Sequence, residues 1–440
     1  MTEPPWRAAP PEPPPRDDRD GADVVIVGAG LTGLSAALHL LRAEPGLDVL
    51  ILDAGQPGSG ASGHGTGLLG PRIGPPVDLA RRRFGDDTAR AVYAFSTAAV
   101  ARVLALIAES GIDCDLTAGA QEIVARTEAD AARLRSRARA YAELGIEVPL
   151  LPGSELAPYP DVAYLAGLRY PSAATLDPAA LTRGLADAAR AAGARIRPGT
   201  LVREVHPGRV STSTGPVRAR KILVAVNGYA DHLRLPVGTM LPLRVHAIAT
   251  APLPVGVLDG VARTAVIEHG DLAPYYRLTP DRRLIAGGGR ALLPARGDGL
   301  PPGPADDTRH APAWRFLTGW LHTLHPALRD IEVTHRWSGR IAMTGDGLPV
   351  VGRAAPGVWY AGGCGGHGLA LSVATGAYLA EHHLGDRAPG GAPASLPWHR
   401  DRAPRLPVGG LARPLLGGYL ATLAARAERK AREGAGAQRA

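Results

Sequence analysis

The 440-residue sequence predicts an α/β chain, a parallel sheet with flanking helices joined to further, Pro- and Gly-punctuated strands. Three observations predict it. A strand–glycine–helix–strand–acid run occupies 23–55, and a second strand–glycine–helix unit occupies 358–383. Between them lie several short strand-like segments separated by turn residues.

Taken in order, residues 1–21 are Pro-rich and polar, with no apolar stretch. Disorder is expected there, and a signal peptide is not. The β-branched run 24–27 reads as a buried strand, followed by Gly28, Gly30 and Gly33 in G-x-G-x-x-G. The first glycine makes the tight turn, the second admits a pyrophosphate to the backbone, and the third lets helix and strand pack closely. Ala37 and Leu40 keep helical spacing, and a second buried strand, 49–52, ends on Asp53, placed to accept from a ribose hydroxyl. Strand, glycines, helix, strand and acid in register make a Rossmann-type unit, and the chain is expected to bind a dinucleotide.

After Asp53 comes GQPGSGASGHGTGLLGPRIG, too rich in glycine for regular structure. It reads as backbone laid against a flat ligand, with a flexible linker as the alternative. Covering helices are expected at 88–110 and 128–144. Asp177 and Pro178 cap a helix over 179–192, with Gly193 closing it. Strands follow around 195–226, 240–250 and 262–289, then a loop at 300–309 and an amphipathic helix ending before Pro326. The unit at 358–383 has no acid-terminated strand after it, so its GGCGGHG turn reads as a loop against another part of the same cofactor. Leu411, Leu415, Leu416, Tyr419, Leu420 and Leu423 form one stripe on a C-terminal docking helix.

Composition narrows the function classes. Formal charge is +8, but nine Lys/Arg against three Asp/Glu fall in 400–440, so no basic field covers the body and nucleic acid is not an expected partner. Two cysteines, Cys114 and Cys364, make no disulfide framework, and no uninterrupted apolar run reaches membrane-spanning length. A cytoplasmic location, no membrane span and no metal site are expected.

Six motifs then carry a resemblance: VVIVGAGLTGLSAALHL, GASGHGTG, LDP at 176–178, YYRLTPDRRLIAGGG at 275–289, DGLPVVG at 346–352 and GGCGGHGLALS at 362–372. Together they resemble the D-amino-acid-oxidase (DAO) family of flavoproteins, most of all its gamma-glutamylputrescine oxidoreductase and glycine/sarcosine oxidase branch. The resemblance implies FAD and an FAD-binding domain interleaved with a substrate domain on a mixed, largely antiparallel sheet. The expected division is 22–83, 151–235 and 341–390 for FAD, and 84–150 and 236–340 for substrate. A docking segment and helix at 391–432 and a disordered tail at 433–440 complete it. Implied cofactor contacts are Gly28, Ala29, Gly30, Leu31, Thr32, Gly33, Asp53 and Ala54 around the first turn. Ala61, Ser62, Gly63, Gly65 and Thr66 belong to the ring-facing loop, Val202 to the adenine side, and Gly363, Gly366, His367, Gly368 and Leu369 to the second turn.

Two departures from the family pattern matter. His64-Gly65-Thr66-Gly67 replaces Arg-Asn-Gly-Gly. In dimethylglycine-dehydrogenase-like relatives a histidine in that vicinity carries the flavin covalently. Non-covalent FAD is the reading taken here, with a covalent His64 linkage as the alternative. The stretch 269–289 has no cysteine, which excludes the sarcosine-oxidase linkage.

Flavin chemistry needs positioning more than acid–base groups. Arg277 matches in register the arginine that holds a substrate carboxylate in glycine oxidase, and alternation puts Tyr275 on its face and Tyr276 on the other. The alternative is a sheet-bridging arginine. Arg277, Tyr276, Tyr275 and His64 are the catalytic candidates, with His246, His269, His335 and Arg72 behind them. The expected reaction oxidises an amine or amino acid to an imine, with O2 reduced to H2O2. A dehydrogenase serving a quinone or carrier and a non-catalytic FAD-binding subunit are the competing readings.

Overall fold

The computed structural model describes residues 1–6, 19–156, 164–261, 264–294, 307–384, 398–405 and 412–436. The first motif folds as expected. Its β-branched run lies in the strand Gly21–Val27, paired in parallel with Val49–Leu52 on one side and Gly215–Val224 on the other. Val24, Val25 and Ile26 are fully buried because such a strand is covered on both faces. Arg195–Arg197 and Val358–Gly362 extend the parallel set, and Val350–Ala355 closes one edge antiparallel. Helices Leu31–Ala43 and Gly368–Leu379 pack together over this sheet, where Ser35 Oγ donates to the Val373 carbonyl at 2.7 Å. The two glycine units of the sequence are thus neighbours, and both open at the carboxyl ends of the strands.

The second sheet runs Val333–Met343, Leu241–Pro252, Arg283–Leu292, Tyr275–Leu278, Thr264–Glu268, Thr117–Ala125, Ala166–Thr175, Leu68–Leu69. Among the described residues every pairing in it is antiparallel except Thr264–Glu268 against Thr117–Ala125. This is the mixed α/β architecture the sequence predicts.

Several boundaries differ. Leu150–Pro152 and Ala166–Thr175 belong to the second sheet, so these two segments do not return to the nucleotide-binding domain. Helix Asp86–Glu109, expected in the substrate domain, buries Val92, Ala99 and Val103 in the core around Leu31–Ala43. It is also long and apolar enough to cross a membrane by length and composition, yet it buries this face in the protein and its Arg102 pairs with Glu381 at 2.8 Å. Residues 1–6 are packed, not disordered: Pro4 is buried and Thr2 pairs with Arg336. The last helix, Ala412–Gly436, continues past 432, burying Leu420 and Leu423 but exposing Leu415 and Tyr419. Parts of the expected termini and docking segment, 7–18, 391–397, 406–411 and 437–440, lie outside the described residues, as does 300–306 of the expected loop.

Candidate active site

A cavity of about 480 Å³ lies where the strand ends of the first sheet meet the face of the second. Gly28, Gly30, Asp53 and Val202 line it from one side, and His246, Tyr275 and Trp337 from the other.

Gly28 has φ +110°, and a Cβ there would stand 2.7 Å from the Ala225 carbonyl oxygen, so only glycine makes this turn. Gly30 caps helix Leu31–Ala43 with no side chain of its own, which leaves first-turn N–H groups beyond Leu31 for an anion. Asp53 braces the turn, accepting from Ala29 N at 2.7 Å and Gly55 N at 2.8 Å. Burial pushes its carboxyl pKa up, and these two donors oppose that. A helix start with first-turn N–H groups beyond Leu31, a bare glycine turn and an accepting carboxylate on one wall suit a pyrophosphate and a ribose, so these residues fit FAD. They also place Gly28, Gly30, Leu31, Thr32, Asp53 and Ala54 on the cavity wall, as expected.

The loop after Asp53 crosses to the second sheet and contains the short helix Ala61–His64. Ala61, Ser62, His64, Gly65 and Thr66 line the cavity. Ser62 Oγ accepts from Leu31 N at 3.1 Å, tying the loop to the glycine turn. His64 Nδ1 lies 2.9 Å from the Gly60 carbonyl, and Nε2 lies 3.6 Å from the Glu3 carboxylate. On the far side of the cavity, Gly366, His367, Gly368 and Leu369 form the second turn. Asn227 holds that turn: its Oδ1 accepts from Gly363 N at 2.9 Å and its Nδ2 donates to Cys364 Sγ at 3.4 Å. Burial pushes the Cys364 thiol pKa up, so it stays protonated.

Four expected contacts stand behind the wall. Ala29 is buried under the turn and contributes its N–H to Asp53; Gly33 sits where a Cβ would strike the Gly28 carbonyl. Gly63 is pressed against Gly58, and Gly363, at φ +78°, serves the Asn227 bond. The three glycines answer to close backbone packing or to the Asn227 bond at these positions.

The catalytic candidates divide further. Tyr275 lines the cavity, its hydroxyl 3.4 Å from Thr66 Oγ1. Tyr276 does not: it is fully buried on the opposite face, tilted against Trp320. Arg277 is only 2% exposed and is absent from the wall. Its Nε donates to the Thr66 carbonyl at 2.5 Å and its Nη2 to the Leu176 carbonyl at 2.9 Å, with Trp6 across the guanidinium at 5.6 Å. The sheet-bridging alternative is therefore the observed one, and the reason is geometric: alternation gives the face, not the depth. Of the others, His246 lines the cavity, whereas His269 is bound to Asp130 at 3.0 Å and His335 to Thr334 at 2.8 Å away from it.

Arg72 is half-buried and lines the cavity beside His367, at its border with a smaller cleft formed by Arg137, Tyr141 and Tyr170. Its side chain makes no hydrogen bond or ion pair with a described residue. Burial lowers its pKa from the ordinary arginine value. Gln121, which no sequence signal marked, lines the same cavity at 4% exposure, and its Oε1 has no hydrogen-bond partner among the described residues. Arg340 is the other cation here, but it is neutralised by Asp231 at 2.9 Å. His367 and His246 are held to about 3, by burial first, with the Arg72 charge adding to His367 and His310 adding to His246. Both are neutral at pH 7.

Comparison with known proteins agrees with this geometry. The family model described as DAO, FAD dependent oxidoreductase, matches residues 23–382. Gamma-glutamylputrescine oxidoreductase of Escherichia coli (strain K12) is 30% identical over 390 residues, 85% of this chain and 86% of that protein. A D-amino acid dehydrogenase of Methylobacterium sp. (strain 4-46) is 27% identical over 81% of this chain and 94% of its own. The crystal structure of glycine oxidase from Geobacillus kaustophilus superposes with a TM-score of 0.69 at 25% identity, covering 86% of this chain and 98% of that one.

Proposed function

The chain belongs to the DAO family of FAD dependent oxidoreductases, and from that premise we propose that it oxidises the C–N bond of an amine or amino acid carrying an anionic group, with O2 as electron acceptor. When bound, FAD supplies the two-electron acceptor for the C–H hydride and the route to O2. The atoms balance: one amine and one O2 give one imine and one H2O2, and water then hydrolyses the imine to a carbonyl compound and an amine or ammonia.

The observation that carries this reading is a pair of unmatched groups on the lining of one cavity, the half-buried Arg72 and the buried Gln121 Oε1. A partly desolvated cation without an acid favours an anion, and a substrate carboxylate in bidentate contact supplies one. An acceptor without a donor suits a substrate N–H. Neutral His246 and His367 add no charge to the wall, and Arg340 is paired with Asp231, so neither histidine repels the substrate amine. The relatives named above act on gamma-glutamylputrescine, D-amino acids and glycine by their names, all of them amines with a carboxylate.

FAD is held non-covalently in this reading. Both ring nitrogens of His64 face protein groups, Gly60 and Glu3. Acid precipitation is expected to release the flavin to the supernatant. A yellow pellet that turns colourless in His64→Ala would reverse that assignment.

The test of the reaction is a substrate panel of amino acids, N-methyl amino acids and polyamine conjugates. Anaerobic mixing should bleach the flavin band, and aerobic turnover should form one H2O2 per substrate. Bleaching with dye reduction but no peroxide would favour the dehydrogenase reading, which the D-amino acid dehydrogenase relative supports. A substrate-insensitive flavin across the panel would defeat both.

A further inference from the structure

The loop 61–66 takes three side-chain hydrogen bonds from the second sheet and from residues 1–6. Arg277 Nε donates to the Thr66 carbonyl at 2.5 Å, Trp337 Nε1 to the His64 carbonyl at 3.0 Å, and Trp6 Nε1 to the Gly63 carbonyl at 3.0 Å. These three donors also touch one another. The Trp6 and Trp337 rings meet edge to face, 5.5 Å apart at 83°, and the Arg277 guanidinium lies 5.6 Å over Trp6. Trp6 is therefore the piece between the other two.

Residues 1–6 are seated along the edge strand Val333–Met343 by contacts of their own. Thr2 N donates to the Arg336 carbonyl at 2.8 Å, Arg336 N donates to Thr2 Oγ1 at 2.7 Å, and Ser338 Oγ meets Met1 Sδ at 3.7 Å. Glu3 then stands 3.6 Å from His64 Nε2, on the loop itself. An exposed sheet edge offers such pairing to any extended segment, and here residues 1–6 take it. The segment thus bridges the second sheet to a loop that belongs to the nucleotide-binding unit and lines its cavity.

We propose that residues 1–6 are a strap across the cofactor-facing loop, with Trp6 as a positioning residue that fixes 61–66 in the conformation FAD binds. Trp6 does not line the cavity; it acts through the Gly63 carbonyl and through the packing of Trp337 and Arg277. The strap also covers the Arg277 guanidinium, which braces the loop from the sheet side. The proposal rests on the cavity being the FAD site.

The test titrates FAD into deflavinated full-length protein and follows flavin fluorescence, with visible circular dichroism of the bound flavin as a second readout. Trp6→Ala should weaken FAD binding about tenfold or more and alter the dichroic band. Trp6→Phe keeps a ring and loses only the donor, so it should weaken binding about threefold. Wild-type protein that takes up no FAD would overturn the cavity assignment. Wild-type uptake with unchanged affinity and dichroism in Trp6→Ala would overturn the strap alone. Should the alanine variant not fold, Trp6→Phe decides: wild-type affinity and dichroism in it would reject the clamp on Gly63.

Discussion

Arg277 is buried and Arg72 half-buried near the same cavity, and their partners separate them further. Arg277 spends two donors on backbone carbonyls; Arg72 has no such bond among the described residues. Losing one member of a secluded charge pair costs ~2–5 kcal/mol, or ~30-fold and more in affinity. Arg72→Ala should therefore raise KM at least ~30-fold for substrates with a carboxylate and leave a simple amine little changed. Arg72→Lys should restore part of the loss, because a point charge lacks the two-pronged fork. Steady-state peroxide formation measures both. Arg277→Ala should behave differently, reducing FAD retention for want of the Thr66 and Leu176 bonds without discriminating between substrates. Equal KM effects at the two positions would contradict this division.

At the scale of elements, helix Leu31–Ala43 works only if it approaches the first strand closely. Gly33 is the point of contact, since a Cβ there would strike the Gly28 carbonyl oxygen. Gly33→Val should lever the helix start away from the turn, and the purified variant should carry almost no flavin by its visible-to-ultraviolet absorbance ratio. A fully loaded variant would show that helix and turn do not cooperate in this way. Helix Gly368–Leu379 is matched to the same partner: a Cβ on Gly376 would meet Ala36 N at 2.9 Å. Two small-residue helices thus share one close seam, and the two glycine turns at their starts are aligned by it.

The whole molecule carries histidines whose burial opposes charging. His246 and His367 are held to about 3 and His383 to about 4, each by burial first. Their folded values lie below the ordinary 6.5, so on acidification the unfolded chain binds protons first. Their contribution to stability is complete above about pH 6.5 and is lost as pH falls toward 3–4. For His246, at 1% exposure, the loss reaches about 2 kcal/mol by pH 5. The thermal midpoint should fall between pH 7.5 and 5, and His246→Asn should make the fall shallower. A midpoint flat across that range would refute the assignment.

The sequence by itself determined the nucleotide-binding unit, because every requirement there is local: a turn at positive φ, a helix start, an acid one strand away. Gly28, Gly30 and Asp53 stand where spacing put them, and the mixed second sheet follows the family resemblance. Only the tertiary structure decided the rest. Whether 166–175 joins one sheet or the other depends on pairing with Thr117–Ala125, some 50 residues distant in the chain. Gln121 sits in an unremarkable strand and gains its meaning from an oxygen left without a donor. Trp6 stands in a Pro-rich, polar stretch whose composition argues for disorder, and it is ordered by a sheet edge more than 300 residues further along. Arg277 and Arg72 are alike as letters. Depth in the fold and the partners met there assigned one to the loop and the other to the cavity, and those are long-range quantities that no local pattern encodes.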